Sequence, residues 1–387
     1  MNIIRTLIFI VLAWHLTVCF LESDITIAAE DFNASDSAAL QKIASYSINT
    51  MLESTKDVKE AALRLGIKQS ELIRLCKLLD IDTGIEQEIQ PISQEKIIRV
   101  ENDADVLFHN GGTVPYVMLV EKSSHLLFLF SFENGKRRII KTFECKTGKN
   151  HGDKKTRGDN KTPEGIYFLK KKHSRREIER LVGKKNAYQY GDMAFVTNFP
   201  NAIDQLKGKK GSGIWLHGTD ENFEETASND TRGCVVTTNE TINELDNFIT
   251  PGTTPLIIVE TLSYTNSDSR EKRKGTALRL IDDWRLSWEK KDINTYIDYY
   301  SESFRSQGKS RNSWKSDKQV KWKRNKDLRV SLNNIIVYGF SKEIVINFKQ
   351  NYSIVDGEQV LLSSEGTKTL HLVQENDTWK IITEYFQ

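Results

Sequence analysis

Between Ser263 and Gly275 the chain reads "SYTNSDSREKRKG", a stretch of charges and hydroxyls with nothing to bury. Such a segment has no apolar face to offset the entropy of ordering it. It reads as a linker at 263–275 and separates two kinds of pattern. Before it, over 100–262, the pattern is strand-like. "VPYVMLVEKSSHLLFLFSFENGKRRIIKTFEC" holds apolar runs broken at "EKSS" and "ENGK", and Asn134-Gly135 is a hairpin turn signal. Further strands are expected at "DMAFVTNF", "SGIWLHG" and "TPLIIVET". After the linker, helices come first. "ALRLIDDWRLSWEKKDINTYIDYYSESF" gives two amphipathic helices joined near Lys291-Asp292, and "SWKSDKQVKWKRN" gives a third. Three or four strands follow from Leu328 onward. Helices ahead of an antiparallel sheet define an α+β domain over 276–387.

The N-terminus differs from both. Arg5 precedes an apolar run from Leu7 to Phe20, then polar "LESD" and small residues up to Ala28 and Ala29. This is the pattern of a secretory signal over 1–29, with an uncleaved anchor as the alternative. The run is shorter than the ~20 residues a membrane span needs. The expectation is an exported, periplasmic chain. Residues 30–99 read as a small helical region. Ala61, Ala62, Leu65, Ile67, Leu72, Ile73, Cys76 and Leu79 recur at helical steps, and Gly66 falls where a turn belongs. The pattern resembles a helix-turn-helix. The charge balance, 55 basic against 53 acidic residues, offers no electrostatic case for nucleic acid. A hairpin for packing, or for a homodimer through these helices, is the reading that remains. Cys76 lies on its apolar face as a core residue.

If Cys19 leaves with the signal, Cys76, Cys145 and Cys234 remain. An odd number in an exported chain leaves a free thiol, and no paired-cysteine zinc spacing is present. Cys234 has the unusual setting. In "DTRGCVV" it follows a glycine in a polar turn and precedes two valines. His217 ends the apolar strand "GIWLHG" upstream. A strand-end histidine, a loop and a Gly-Cys turn can bring imidazole and thiol together. The thiolate is the nucleophile, and an imidazole can take its proton and pass it to a leaving amine. Gly233, lacking Cβ, would let a substrate carbonyl approach, with the N–H groups of Gly233 and Cys234 facing the oxyanion. A buried free cysteine beside a core histidine is the bland alternative.

"IWLHGT" and "TRGCVV", with "GDNKTPEGIY" at 158–167 before them, resemble the L,D-transpeptidase catalytic domain of the YkuD type. "VEKSSHLLFLF" is similar to that domain's opening hairpin. The resemblance covers about residues 114–260. It implies a mostly β catalytic domain with Cys234 as nucleophile, His217 as base and Gly218 orienting the imidazole through its carbonyl. Gly233 and Cys234 would form the oxyanion hole, with Thr219, Thr231 and Arg232 contacting substrate. Arg232 stands where many members have histidine, and Val236 where many have asparagine. The implied partner is a peptidoglycan stem peptide, cut between a diamino acid and D-alanine through a thioester. An amine acceptor would give a cross-link, and water would give a trimmed stem. No metal or organic cofactor is implied. The alternative of another class is a degenerate domain that binds cell wall without turnover.

The last domain resembles the nuclear-transport-factor-like (SnoaL-like) cone. Trp284, Trp288, Tyr296, Tyr299 and Tyr300 would line a pocket for a small ligand or glycan, or else form its core. The fusion of the two resembles cell-shape L,D-carboxypeptidases of curved and helical bacteria.

Overall fold

The structure is a computed structural model. It describes residues 93–387 except 110–115, 134–135, 224–230, 325–326, 341 and 387. Of the preceding region it describes 45, 48–55, 58–65, 72, 76 and 81. The N-terminal apolar run and the Gly66 turn lie outside the described residues. The chain divides into two units, 1–93 and 94–387. In the first, residues 48–55 and α1 (Val58–Leu65) are helical. Cys76 is buried, and burial pushes its thiol up to about 11.

The second unit opens with α2 (Gln94–Asp103) and β1 (Val106–His109). The hairpin strands β2 (Tyr116–Glu121), β3 (Leu126–Glu133) and β4 (Lys136–Glu144) follow. β5 (Gly165–Ser174) runs into α3 (Arg175–Val182) and a 3-10 helix, Lys184–Tyr190. Then come β6 (Met193–Thr197), α4 (Ala202–Leu206), β7 (Trp215–His217), β8 (Val235–Val236), α5 (Asn239–Leu245) and β9 (Pro255–Val259). These strands form one eight-stranded sheet in the order β4-β3-β2-β9-β5-β6-β7-β8. β2 and β9 pair in parallel, as do β7 and β8. Met118, Leu127, Tyr167, Phe195, Leu216 and Leu256 point into one core, which Ile242 and Leu245 of α5 cover. The expected strands are all present. At the start of α3 Glu177 accepts from the N–H and hydroxyl of Ser174, a helix-start signature that the strand reading passed over.

The C-terminal part contains α6 (Ser267–Glu289), α7 (Ile293–Asp298), the short strands β10 (Arg305–Ser306) and β11 (Lys309–Ser310), and α8 (Arg311–Arg324). β12 (Asp327–Phe340), β13 (Glu343–Asp356), β14 (Gln359–Glu375) and β15 (Thr378–Phe386) complete it. Its five-stranded sheet has the order β1-β12-β13-β14-β15. Trp284, Trp288, Tyr296 and Tyr300 are buried in the core between helices and sheet. Tyr299 packs at its margin. The indole of Trp284 donates to Tyr300 Oη (3.0 Å), which donates to Glu384 Oε2 (2.7 Å). The aromatic residues therefore fill the cone as its core.

Two boundaries differ from expectation. The segment 263–275 is not a flexible linker. Asn266 caps a helix that begins at Ser267, its side chain accepting from Ser269 N (2.8 Å). The charges have partners: Arg270 donates to Thr265 O (2.6 Å), and Arg273 pairs with Asp105 (2.6 Å). The region expected to be catalytic also does not start at residue 100. β1 pairs with the far end of β12, from Val106 opposite Phe340 to His109 opposite Val337.

The outer face of the C-terminal sheet packs on the eight-stranded sheet's domain. Phe168 meets Tyr338 edge-on at 5.8 Å. Glu343, on this face, is buried, with Lys207 at 3.8 Å and one carboxylate oxygen without a partner. Burial raises its pKa from an ordinary 4.5 to about 7, Lys207 and Lys209 opposing and Asp204 and Asp153 reinforcing the rise. The folded state then holds a proton that the unfolded state releases. Its contribution to stability is full below about pH 4.5 and is lost as pH rises through about 7. Glu343→Gln is expected to raise the melting temperature at pH 8, with the gain shrinking toward pH 5. A gain independent of pH would contradict this.

Candidate active site

β6, β7 and β8 lie at one end of the larger sheet. Trp215 and His217 alternate with Leu216 and so share a face of β7. Leu216 pairs with Val235 and His217 with Val236. Cys234, one step before Val235, therefore stands on the same face as His217. Both line a cavity of about 530 Å³ with Tyr190, Arg232, Lys146 and Thr219.

His217 is buried, and its Nδ1 lies 2.7 Å from Gly218 O. A carbonyl only accepts, so Nδ1 carries the hydrogen and Nε2 is left as an acceptor. Burial lowers its pKa to about 4, and the Gly218 hydrogen bond opposes this only in part. The imidazole is neutral at pH 7. The Cys234 sulfur donates to Gly213 O (3.4 Å). Burial raises the thiol above its ordinary value; the Trp215 backbone and the charges of Arg232 and Lys154 pull the other way without cancelling it. The resting pair is thus a thiol and a neutral imidazole.

The turn before Cys234 is latched by Thr231. Its hydroxyl donates to Cys234 O (2.8 Å) and accepts from Gly233 N (3.0 Å). This corrects two expectations. The Gly233 N–H is engaged inside the turn, so of the two amides expected to face an oxyanion only that of Cys234 keeps the expectation. Thr231 lines the cavity, but its hydroxyl is spent on the turn. Thr219 likewise lines the cavity while its hydroxyl accepts from Glu221 N (3.0 Å).

Gly233 has a different reason from the one expected. Its φ is +125°, and a Cβ there would lie 2.5 Å from Lys161 O and 3.1 Å from Ile214 Cδ1. The space a side chain would need belongs to the "GDNKTPEGIY" loop, not to substrate. That loop is itself pinned. Burial works against the Asp159 charge, but Lys154 (2.6 Å) and the N–H groups of Thr156, Lys155 and Lys161 outweigh it and hold the carboxyl at about 2. Lys122 ties Glu164 (3.0 Å) to Glu260 (2.6 Å). Gly148 N donates to Thr162 Oγ1 (2.7 Å), and Lys149 N to Thr231 O (2.8 Å). The loop is a floor beneath the cysteine turn.

Comparison with known proteins agrees with this geometry. Residues 115–258 match the L,D-transpeptidase catalytic domain (YkuD). The structure of Bd1075 from Bdellovibrio bacteriovorus is 30% identical, with a TM-score of 0.60, covering 73% of this chain and 96% of that one. The chain belongs to the L,D-transpeptidase family. Its C-terminal residues 276–385 match the Cds6 C-terminal NTF2-like domain. Pgp2 of Campylobacter jejuni, a helical cell shape determining protein, shares the fold at a TM-score of 0.58 and 24% identity, covering 74% of this chain and 95% of Pgp2. YafK, a candidate L,D-transpeptidase of Escherichia coli K12, is 25% identical over 163 residues, 41% of this chain. That match spans 58% of YafK. Within this L,D-transpeptidase domain, motif reading found Cys234, His217 and Gly218. It passed over Tyr190 and Lys146, which no motif marks. The pairing of Lys146 with Val236 across the chain is a long-range fact.

Proposed function

We propose that the protein is a cysteine acyl-enzyme of the cell wall, acting on the tetrapeptide stems of peptidoglycan. The observation that carries this reading is the placement of Cys234 and His217 on one face of paired strands, lining one cavity, with Nδ1 held by Gly218 O. Cys234 Sγ attacks the carbonyl carbon between the diamino acid and D-alanine, and its proton passes to His217 Nε2. The Cys234 amide faces the oxyanion. Collapse breaks the C–N bond, His217 returns the proton to the departing amine, and D-alanine leaves a thioester behind. An acceptor amine then attacks the thioester, gives its proton to His217 and restores the thiol as a cross-link forms.

Water in place of the amine would make the enzyme an L,D-carboxypeptidase. The resemblance of the two-domain fusion to cell-shape L,D-carboxypeptidases is the reason to keep this second reading. Incubation with disaccharide-tetrapeptide separates the two: dimers report transfer, and tripeptide with free D-alanine reports hydrolysis. A carbapenem is expected to add its mass to the wild type and not to Cys234→Ala. No adduct on the wild type would favour a domain that binds cell wall without turnover.

A further inference from the structure

Tyr190 ends the 3-10 helix between α3 and β6, and its ring centroid lies 4.8 Å from that of His217. It also meets Trp215 at 5.2 Å, and Trp215 meets His173 at 5.5 Å. The imidazole is thus the last ring of an aromatic row. Tyr190 and Arg232 line the same cavity, and the guanidinium beside the phenol opposes the rise that burial gives its pKa. Arg232 is otherwise an exposed residue of the cysteine turn.

The backbone that carries Tyr190 is held to the histidine strand end. Arg175 Nη1 donates to Gly191 O (2.9 Å) and to Asp220 Oδ2 (2.7 Å). Asp220 N donates to Tyr188 O (2.8 Å). Asn239 accepts from Asp192 N (2.9 Å) and donates to Asp220 Oδ1 (2.8 Å). Gly191, at φ +61°, has no room for a Cβ: Asn239 Oδ1 and the backbone of Gly218 and Thr219 occupy it. Such bracing is out of proportion to a surface loop. It holds one ring against one imidazole.

We propose that Tyr190 is the positioning residue of this site, its ring fixing the plane of His217 and its phenol holding Arg232 over the cavity to meet a carboxylate of the substrate. The proposal rests on the acyl-enzyme reading above. The ring keeps water from the imidazole and keeps Nε2 aimed along the β7–β8 face. The phenol holds a flexible guanidinium in one place, so less rotamer freedom is lost when a carboxylate binds.

Two substitutions in the full-length protein separate the roles. Tyr190→Phe keeps the ring and removes the hydroxyl. Release of D-alanine from tetrapeptide is expected to show KM raised about tenfold with kcat within about twofold. Tyr190→Leu loses both, and kcat is expected to fall about tenfold or more as well. An NMR titration of the His217 ring gives a second readout that needs no substrate. Its pKa is expected to stay near 4 in the wild type and in Tyr190→Phe, and to move toward 6.5 in Tyr190→Leu. An unchanged KM in Tyr190→Phe, or a Tyr190→Leu titration that matches the wild type, overturns the proposal. If the wild type releases no D-alanine, the acyl-enzyme reading fails, while the titration still decides the role of the ring.

Discussion

Replacing His217 with alanine is expected to lower D-alanine release by about 10²–10⁴-fold. The size follows from the resting state. Burial holds the imidazole near 4 and the Cys234 thiol above its ordinary value, so neither group is charged at pH 7. No thiolate–imidazolium pair waits for substrate. In the proposed reaction the proton moves as the sulfur attacks, and Nε2 is the acceptor that the Gly218 contact leaves available. Without it the proton has only water to go to. The same arrangement sets the acid limb of activity. His217 keeps its basic form until pH falls to about 4, so the rate is expected to hold down to about pH 5 and to drop below that. The check is a pH series of D-alanine release by wild type and His217→Ala, with thermal melts to confirm folding. A variant that retains a tenth of the wild-type rate would remove His217 from the reaction.

Gly233→Ala is expected to disable the site without touching the nucleophile. At φ +125° an alanine is strained by about 1–3 kcal/mol before any contact is considered. Its Cβ would then meet Lys161 O at 2.5 Å. That carbonyl has little freedom to retreat. Lys161 N is bound to Asp159 Oδ1 (3.2 Å), and the preceding Asn160 O accepts from Asn150 N (3.0 Å). The turn has to move instead, and with it Cys234. A displacement near 1 Å costs about 10²-fold in a positioned reaction. Carbapenem adduct formation followed by mass, beside a melting curve, would read both effects. Acylation at the wild-type rate would show that the turn tolerates a side chain and that the loop is not its floor.

What could be read from the sequence had local signatures. The order "GDNKTPEGIY", "IWLHG", "TRGCVV" singled out His217 and Cys234, because the residues expected as base and nucleophile sit on short motifs at strand ends. Alternation and the Asn134-Gly135 signal gave the strands. The misreadings share one cause: each depends on a partner far along the chain. Gly233 looked like an opening for substrate because nothing nearby shows that Lys161 fills the space. Residues 263–275 looked like a linker because Arg273 finds its carboxylate at Asp105. Tyr190 looked like one more tyrosine in a lysine-rich stretch, since its meaning lies in three rings brought from β5 and β7.

The pairing of β1 with β12 has a consequence for how the chain is made. The strand that closes one side of the C-terminal sheet is synthesised before the catalytic domain, and its partner only after it. The catalytic domain is thus an insertion in another domain's chain. Its two ends are stitched together where Asp105 N donates to Ser263 O (2.7 Å) and Thr265 N to Asp103 O (2.8 Å). A cut near residue 263 would not yield two self-sufficient halves. The front piece would carry an orphan strand, and the rear piece would expose the edge of β12 that β1 normally covers.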